Sequence, residues 1–226
     1  MTTEPQTDSQ YYQVAKPQSL AERVVIAARD RIFADFIDIC APEITDTLLD
    51  VGVSDVVTDA ANLLERLYPH PERITAAGIG DGRAFREEYP RVPFVRISPN
   101  EPLPFADKSF DIAAANAVLE HVGSTKNQSV FVSELSRVAK TVYITVPHRF
   151  FPVEHHTGLP FAHYTDATFK AACALLGRSE WTRHENLILM TRTRLTALMP
   201  KEGRWRIGYT GIKLGPFSSN LYLTNA

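Results

Sequence analysis

Short apolar runs and amphipathic segments alternate along this chain. Several runs are mostly apolar and have the length of a strand that is buried on both faces. Between them lie segments whose apolar residues recur at helical spacing, such as the stripe that contains Val24, Ile32 and Phe36. Strands that alternate with helices predict a parallel, doubly wound sheet with right-handed crossovers. The predicted strands of this sheet are Thr47 to Val53, Arg73 to Ala77, Val92 to Ile97, Phe110 to Ala115 and Thr141 to Val146.

The end of the chain predicts a different arrangement. Trp205 to Gly211 and Asn220 to Asn225 are two more strands, and we expect them to form an antiparallel pair joined by the loop Gly211 to Ser219. The complete prediction is an α/β, Rossmann-like fold with a mostly parallel seven-stranded sheet. Four predicted helices have both ends defined: Ser19, in a capping box, to Cys40; Ala60 to Leu67; Thr165 to Leu176; and Thr191 to Met199. Two more are placed by one end. A short helix ends near Tyr89, and another begins at a capping box, Thr125 to Gln128.

A chain of 226 residues has room for a single domain with a substantial core, which we assign to residues 19–226. Met1 to Gln18 is polar and predicts a flexible tail, although Tyr11 and Tyr12 could equally belong to a flap over a ligand.

The net charge of −2 offers no basic surface for nucleic acid, so a small-molecule partner is expected. The two cysteines indicate a reducing compartment, and no run is long and apolar enough for a membrane span, so a soluble, cytoplasmic protein is predicted. The sequence is compatible with a homodimer.

Polar side chains follow the fourth predicted strand at the point where it ends. Asn116 comes directly after the strand, and Glu120 and His121 follow within one turn. In open parallel sheets, ligands bind beyond the carboxyl ends of the strands. The sequence therefore predicts that chemistry takes place near Asn116 and His121.

Two segments resemble a known family. Leu103 to Val122, with LPF, SFD and VLEHV in it, and Pro147 to His163 resemble the class I methyltransferases of type 11, which use S-adenosylmethionine (SAM). The resemblance implies SAM as cofactor and methyl transfer to a small molecule. It also implies that residues 147–164 form an insertion on the substrate side of the site.

The resemblance implies a cofactor site at the strand ends, with Asp50 and Gly52 in the first glycine motif and the backbone at Asn116 near the methionyl end of SAM. The next two glycine positions of that motif are occupied by Ser54 and Val56. A side chain there adds bulk where the backbone normally approaches the ligand. Either the loop is held further back, or the cofactor site is weakened.

The acid that usually accepts hydrogen bonds from the ribose is also missing, because Gly78 and Ile79 stand at its place. Asp81 is the nearest carboxylate that could take this role, although Asp81 could equally be a solvent-exposed acid in a turn. After the third strand, Asn100 or Glu101 could contact the adenine amine.

The insertion holds four of the seven histidines in the chain. Their spacing matches no common zinc pattern, so no metal is predicted. The resemblance implies a catalytic base among His156, His163 and His121, and an alternative is that Arg149, Glu154 and His156 only brace a long loop. The predicted substrate-binding residues are His148, Arg149, Phe151, Glu154 and Tyr164.

Three functions remain open at this point. A SAM-dependent methyltransferase is the first prediction. A methyltransferase-fold binding protein that has lost catalysis is the alternative, because Ser54, Val56 and the missing ribose acid depart from the family pattern. An NAD-dependent enzyme is disfavoured, since the chain lacks a dinucleotide fingerprint.

Overall fold

The computed structural model describes residues 20–56, 58 and 61–226. The predicted tail, residues 1–18, and the predicted cap Ser19 lie outside the described residues. The helices are α1 (Leu20–Cys40), α2 (Leu63–Leu67), α3 (Arg83–Glu88), α4 (Thr125–Val138), α5 (Asp166–Leu175) and α6 (Arg192–Leu198). The strands are β1 (Leu48–Val51), β2 (Ile74–Gly78), β3 (Phe94–Arg96), β4 (Phe110–Asn116), β5 (Ala139–Pro147), β6 (Arg206–Leu214) and β7 (Phe217–Thr224).

The strands form a seven-stranded sheet in the order β3-β2-β1-β4-β5-β7-β6. β1 to β5 run parallel, and β7 pairs antiparallel with both β5 and β6. The predicted fold class is therefore confirmed. The strand order reverses between β1 and β4, which pair directly through Asp50 and Ala114. This is the position at which an open α/β sheet leaves a crevice beyond its strand ends.

Two layers of apolar side chains bury the two faces of the sheet. On one face Phe36 of α1 and Phe85 of α3 pack with residues of the central strands. On the other face Leu135 of α4 and Leu195 of α6 pack against Val142 and its neighbours. Both faces of the central strands are covered, which explains why their sequences are apolar without alternation.

Some predicted boundaries were wrong. Helix α4 is capped by Ser124, whose hydroxyl accepts from the Asn127 N–H at 3.0 Å, one residue before the predicted capping box. The C-terminal strands extend to Leu214 and from Phe217, so the connection is a short turn instead of the predicted long loop. Among the described residues, no helix has the length and apolar character needed to cross a bilayer.

Candidate functional site

A large cavity opens at the carboxyl ends of the parallel strands, where the strand order reverses. Its volume is about 1110 Å³, enough for a ligand of drug or nucleoside size. The loops after β1, β3, β4 and β5 form its floor, and helix α1 covers it from one side. The lining includes Val25, Ala28, Arg29, Ile32, Gly52, Val56, Ile79, Arg96, Asn100, Glu101, Asn116, His121, His155 and His156.

Gly52 lines the cavity at the end of β1 and requires glycine for two reasons. Its φ is +99°, in the region that side chains disfavour. A Cβ atom at this position would lie 2.2 Å from Cγ2 of Val118, on the loop after β4. The absence of a side chain therefore lets the β1 and β4 loops approach each other at the floor of the cavity.

Ser54, at the second position of the first glycine motif, is buried and does not line the cavity. Its hydroxyl accepts from the Val56 N–H at 2.9 Å, and its backbone N–H and C=O both bond to the side chain of Asn62. Asn62 thus fixes the backbone at Ser54, whose side chain does not line the cavity. Val56 does line the cavity wall, but a volume of about 1110 Å³ remains beside it. Ser54 therefore takes no space in the cavity, and Val56 forms part of the cavity wall without closing it.

The carboxylate that contacts the loop after β2 differs from the predicted one. Asp81 lies on the surface, where it accepts from the Arg83 N–H at 2.9 Å, and the structure does not bring it to the cavity. Instead the carboxylate of Asp55 accepts from the Gly82 N–H at 2.8 Å. A Cβ on Gly80 would lie 2.1 Å from Oδ2 of Asp55. The glycines of this loop therefore make room for Asp55, and Ile79 presents an apolar side chain to the cavity.

The other predicted cofactor residues divide into two groups. Asn100 and Glu101 line the cavity on the loop after β3, and Asn116 lines it at the end of β4. The Asn116 Oδ1 atom accepts from the Thr145 hydroxyl at 2.5 Å, which fixes its side chain against β5. Asp50 is buried behind the cavity floor and does not line it.

Asp50 belongs to a pair of buried carboxyl groups. Glu65 of α2 lies beside it and is also buried. Burial raises the pKa of Asp50 to about 7. Burial and the neighbouring Asp50 charge raise the pKa of Glu65 well above its ordinary value. The pair supports the floor of the site and favours protonated carboxyl groups near neutral pH.

His121 and His156 meet at the wall of the cavity. Their Nε2 atoms are 3.1 Å apart. The Nδ1 atom of His121 is 2.6 Å from the Asn186 carbonyl oxygen, and that of His156 is 2.9 Å from Oε1 of Glu154. Burial lowers the pKa of His121 to about 3. Burial also lowers the pKa of His156, but the Glu154 charge and hydrogen bond outweigh it and raise this pKa above its usual value.

Glu154 fixes the turn that carries His156. Its carboxylate accepts from the N–H groups of His156 and Thr157, at 3.0 and 2.6 Å, and from the Thr157 hydroxyl at 2.6 Å. The predicted brace is therefore present, but it orients a histidine of the cavity wall. Arg149 is not part of it, since its guanidinium bonds to the His163 carbonyl and to Asp166.

The remaining predicted residues of the insertion do not reach the large cavity. His163 is buried with Nε2 2.8 Å from the Phe151 carbonyl oxygen, and the Tyr164 hydroxyl donates to the Phe150 carbonyl. A second cavity of about 10 Å³, lined by His148, Arg149 and His163 among others, has room for about one water molecule. Phe151 and Tyr164 line neither cavity.

Sequence reasoning missed the contribution of α1. Val25, Ala28, Arg29 and Ile32 lie at helical spacing and cover the cavity, but the same spacing is also typical of a helix that only packs on a core. His155 was also missed as a lining residue, because it stands next to His156 in the sequence and carries no distinguishing signal.

Comparison with known proteins agrees with this geometry. The methyltransferase domain family matches residues 49–142, from β1 into β5. A comparison with curated proteins gave no match.

The fold is similar to that of solved methyltransferases. A SAM-dependent methyltransferase of Thermotoga maritima, described as a possible histamine N-methyltransferase, is 13% identical, with a TM-score of 0.57 over 91% of this chain and 90% of that chain. The magnesium protoporphyrin IX methyltransferase of Synechocystis PCC 6803, solved with bound S-adenosylhomocysteine (SAH), is 14% identical, with a TM-score of 0.59 over 96% and 92%. A SAM-dependent methyltransferase of Aquifex aeolicus is 15% identical, with a TM-score of 0.53 over 97% and 98%.

The family match and the fold support SAM as the cofactor. The resemblance seen in the sequence is confirmed. The methyltransferase domain family model matches residues 49–142, and the chain has the fold of the class I SAM-dependent methyltransferases.

Proposed function

We propose that this protein is a SAM-dependent methyltransferase that acts on a small molecule. The observation that carries the proposal is the cavity of about 1110 Å³, which stays open although Ser54 and Val56 replace two glycines of the family motif. Its position at the reversal of strand order is where such folds bind their ligands.

The lining residues fit the parts of SAM. Ile79 and Ile97 give an apolar wall suited to an adenine ring, and Asn100 and Glu101 add polar groups beside it. The close approach of the loops at Gly52, together with Asn116, suits the amino-acid end. When bound, SAM supplies a methyl group that is activated by the positive charge on sulfur.

The chain itself binds and orients SAM and the methyl acceptor, and it excludes water from them. Helix α1 covers the cavity, and a covered site holds two reactants in a fixed geometry, which accounts for much of the acceleration in a simple displacement. The polar groups of the opposite wall include His121 and His156, and we place the methyl acceptor beside them. His163 is not a candidate base, because its Nε2 is bonded to the Phe151 carbonyl away from the cavity.

Isothermal titration calorimetry with SAH tests the cofactor site. We expect one SAH per chain for the wild type. Val56→Phe adds bulk inside the cavity and should weaken SAH binding about 10–100-fold, by the overpacking cost of about 1–3 kcal/mol. Val24→Phe adds the same bulk at an exposed position of α1 outside the cavity and should leave the affinity unchanged.

No heat with the wild type at millimolar SAH would overturn the proposal. Equal affinities for the Val56 and Val24 variants would show that SAH binds elsewhere. SAH binding with no turnover of any acceptor tried would favour the alternative of a binding protein, which the absence of a ribose acid at Gly78 and Ile79 motivates.

A further inference from the structure

Three ligand atoms of the type that bind transition metals lie together at the cavity wall. They belong to Glu120, His121 and His156, and all lie within 4.8 Å of one another. The two Nε2 atoms are 3.1 Å apart, and Nε2 of His121 is 3.9 Å from Oε1 of Glu120. A tetrahedral ion with bonds of about 2.0–2.1 Å separates its ligands by about 3.3 Å. The two histidine nitrogens are therefore close to the spacing that such an ion requires, and the Glu120 oxygen lies further out, within 4.8 Å of both.

The hydrogen bonds of the His121 and His156 rings direct one Nε2 lone pair from each ring toward the space between the two rings. Nδ1 of His121 faces a carbonyl oxygen and Nδ1 of His156 faces a carboxylate, and both oxygens can only accept. Each Nδ1 must therefore carry a proton, and the neutral rings present two Nε2 lone pairs to each other. Only a cation, either a proton or a metal ion, makes this contact favourable. Outer-shell carbonyl and carboxylate partners of this kind are typical of metal-bound histidines.

Glu120 provides a second, independent observation. It is 1% exposed, and within the described part of the chain neither of its carboxylate oxygens has a hydrogen-bond partner. A buried carboxyl group without partners costs free energy. An ion bound by the two histidines would give this carboxylate the partner it lacks.

We propose that Glu120, His121 and His156 bind a divalent cation of the zinc class. Two imidazoles and one carboxylate favour Zn²⁺, Co²⁺ or Fe²⁺ over Mg²⁺ and Ca²⁺, which prefer oxygen ligands. His121 and His156 line the large cavity, so the ion would be accessible from it. Resting on the proposed function, its role is to hold a methyl acceptor through an oxygen atom of that acceptor. This proposal revises the sequence-based prediction of no metal.

Titration of chelator-treated full-length protein with Co²⁺ and Zn²⁺ tests the site. We expect one ion per chain, visible Co²⁺ absorption bands typical of low coordination, and displacement of Co²⁺ by Zn²⁺ but not by Mg²⁺. Glu120→Gln and His121→Gln should each weaken Zn²⁺ binding by more than about 100-fold, beyond the 10–100-fold loss that is typical for an outer-shell partner. His184→Gln, at an exposed histidine outside the cluster, is the matched control and should bind Zn²⁺ as the wild type does.

The wild-type titration decides the proposal even where a variant fails to fold. No stoichiometric ion, or equal Zn²⁺ affinity in the Glu120→Gln and His184→Gln variants, would overturn the site and leave a pair of histidines bridged by a proton. SAH calorimetry on the same samples separates the two proposals. SAH binding without Zn²⁺ binding would refute only the proposed metal site. Zn²⁺ binding without SAH binding would refute only the proposed methyltransferase function.

Discussion

The two sides of the cavity are built by different means. The glycine side, with Gly52, Val56 and Ile79, offers main chain and apolar side chains to a ligand. The histidine side, with His121, His155 and His156, offers polar groups, and Glu154 and the Asn186 carbonyl orient two of its rings. A surface made of main chain and apolar groups depends on shape, whereas a surface made of imidazoles depends on the exact positions of its partners.

This difference explains why the family motif can change on one side. Ser54 is tolerated because Asn62 binds its backbone N–H and C=O and its side chain does not line the cavity. No comparable freedom exists at Glu154, whose carboxylate accepts four hydrogen bonds from His156 and Thr157. The comparison predicts that substitutions on the histidine side cost more than those on the glycine side.

The largest effect is expected for Glu154→Ala. The substitution leaves buried donors of His156 and Thr157 without an acceptor, and the free energy of unfolding should fall by about 3–5 kcal/mol. Asp166→Ala is the control and should cost at most about 1 kcal/mol, because Asp166 is exposed and its partner Arg149 keeps its bond to the His163 carbonyl. Urea denaturation of both variants measures the difference. Equal losses would contradict the view that Glu154 is the brace of this side.

On the glycine side, Gly52→Ala should cost about 2–4 kcal/mol, because strain at positive φ adds to the contact with Val118. Gly177→Ala is the matched control. Gly177 has φ +67° and nothing within 4 Å of the added Cβ, so only the conformational cost of about 1 kcal/mol remains.

A double variant, Gly52→Ala with Val118→Ala, isolates the contact. Denaturation should show a loss at least about 1 kcal/mol smaller than the sum of the two single losses, since shortening Val118 removes the clash. Strict additivity would mean that the two loops do not press against each other at this point.

A smaller effect is expected beneath the glycine side for Glu65→Gln. Burial raises the pKa of Asp50 from 3.8 to about 7, and the pKa of Glu65 is raised as well. The folded state therefore binds protons that the unfolded state releases, and the free energy of unfolding should fall as the pH rises from about 4 to above 7. The amide cannot ionise, so the variant should lose less stability over this range.

Thermal unfolding at pH 5 and pH 8 measures this effect. At pH 8 the variant should melt about 2–4 °C above the wild type, which corresponds to about 1 kcal/mol in a domain of this size. The advantage should shrink at pH 5, where both carboxyl groups of the wild type are protonated. The same difference at both pH values would contradict the assignment of a buried acid pair.

The fold could be predicted from the sequence because each strand and helix is indicated by the pattern of its own residues. Runs such as Phe110 to Ala115 are apolar on both faces, and the helices between them carry apolar stripes. The N-terminus of α4 was misplaced by one residue because Ser124 and Thr125 are both good caps. Which of the two adopts extended backbone is decided by the preceding chain.

The site was only partly predictable. Asn116 and His121 could be placed because they follow a strand end, but Asp81 and His163 were selected by residue type and the fold turned them elsewhere. The meeting of His156 with His121 joins segments 35 residues apart and has no local signature. The replacement of a glycine loop by one held by Asn62 is likewise a tertiary effect.

A crystal structure of the protein with SAH is the most direct test of the central claim. We predict that SAH lies in the cavity between Gly52 and Asn116, with its adenine against Ile79 and the Ser54 loop still bonded to Asn62. SAH bound outside this cavity, or a cavity closed by Val56 in crystals grown with saturating SAH, would contradict the account.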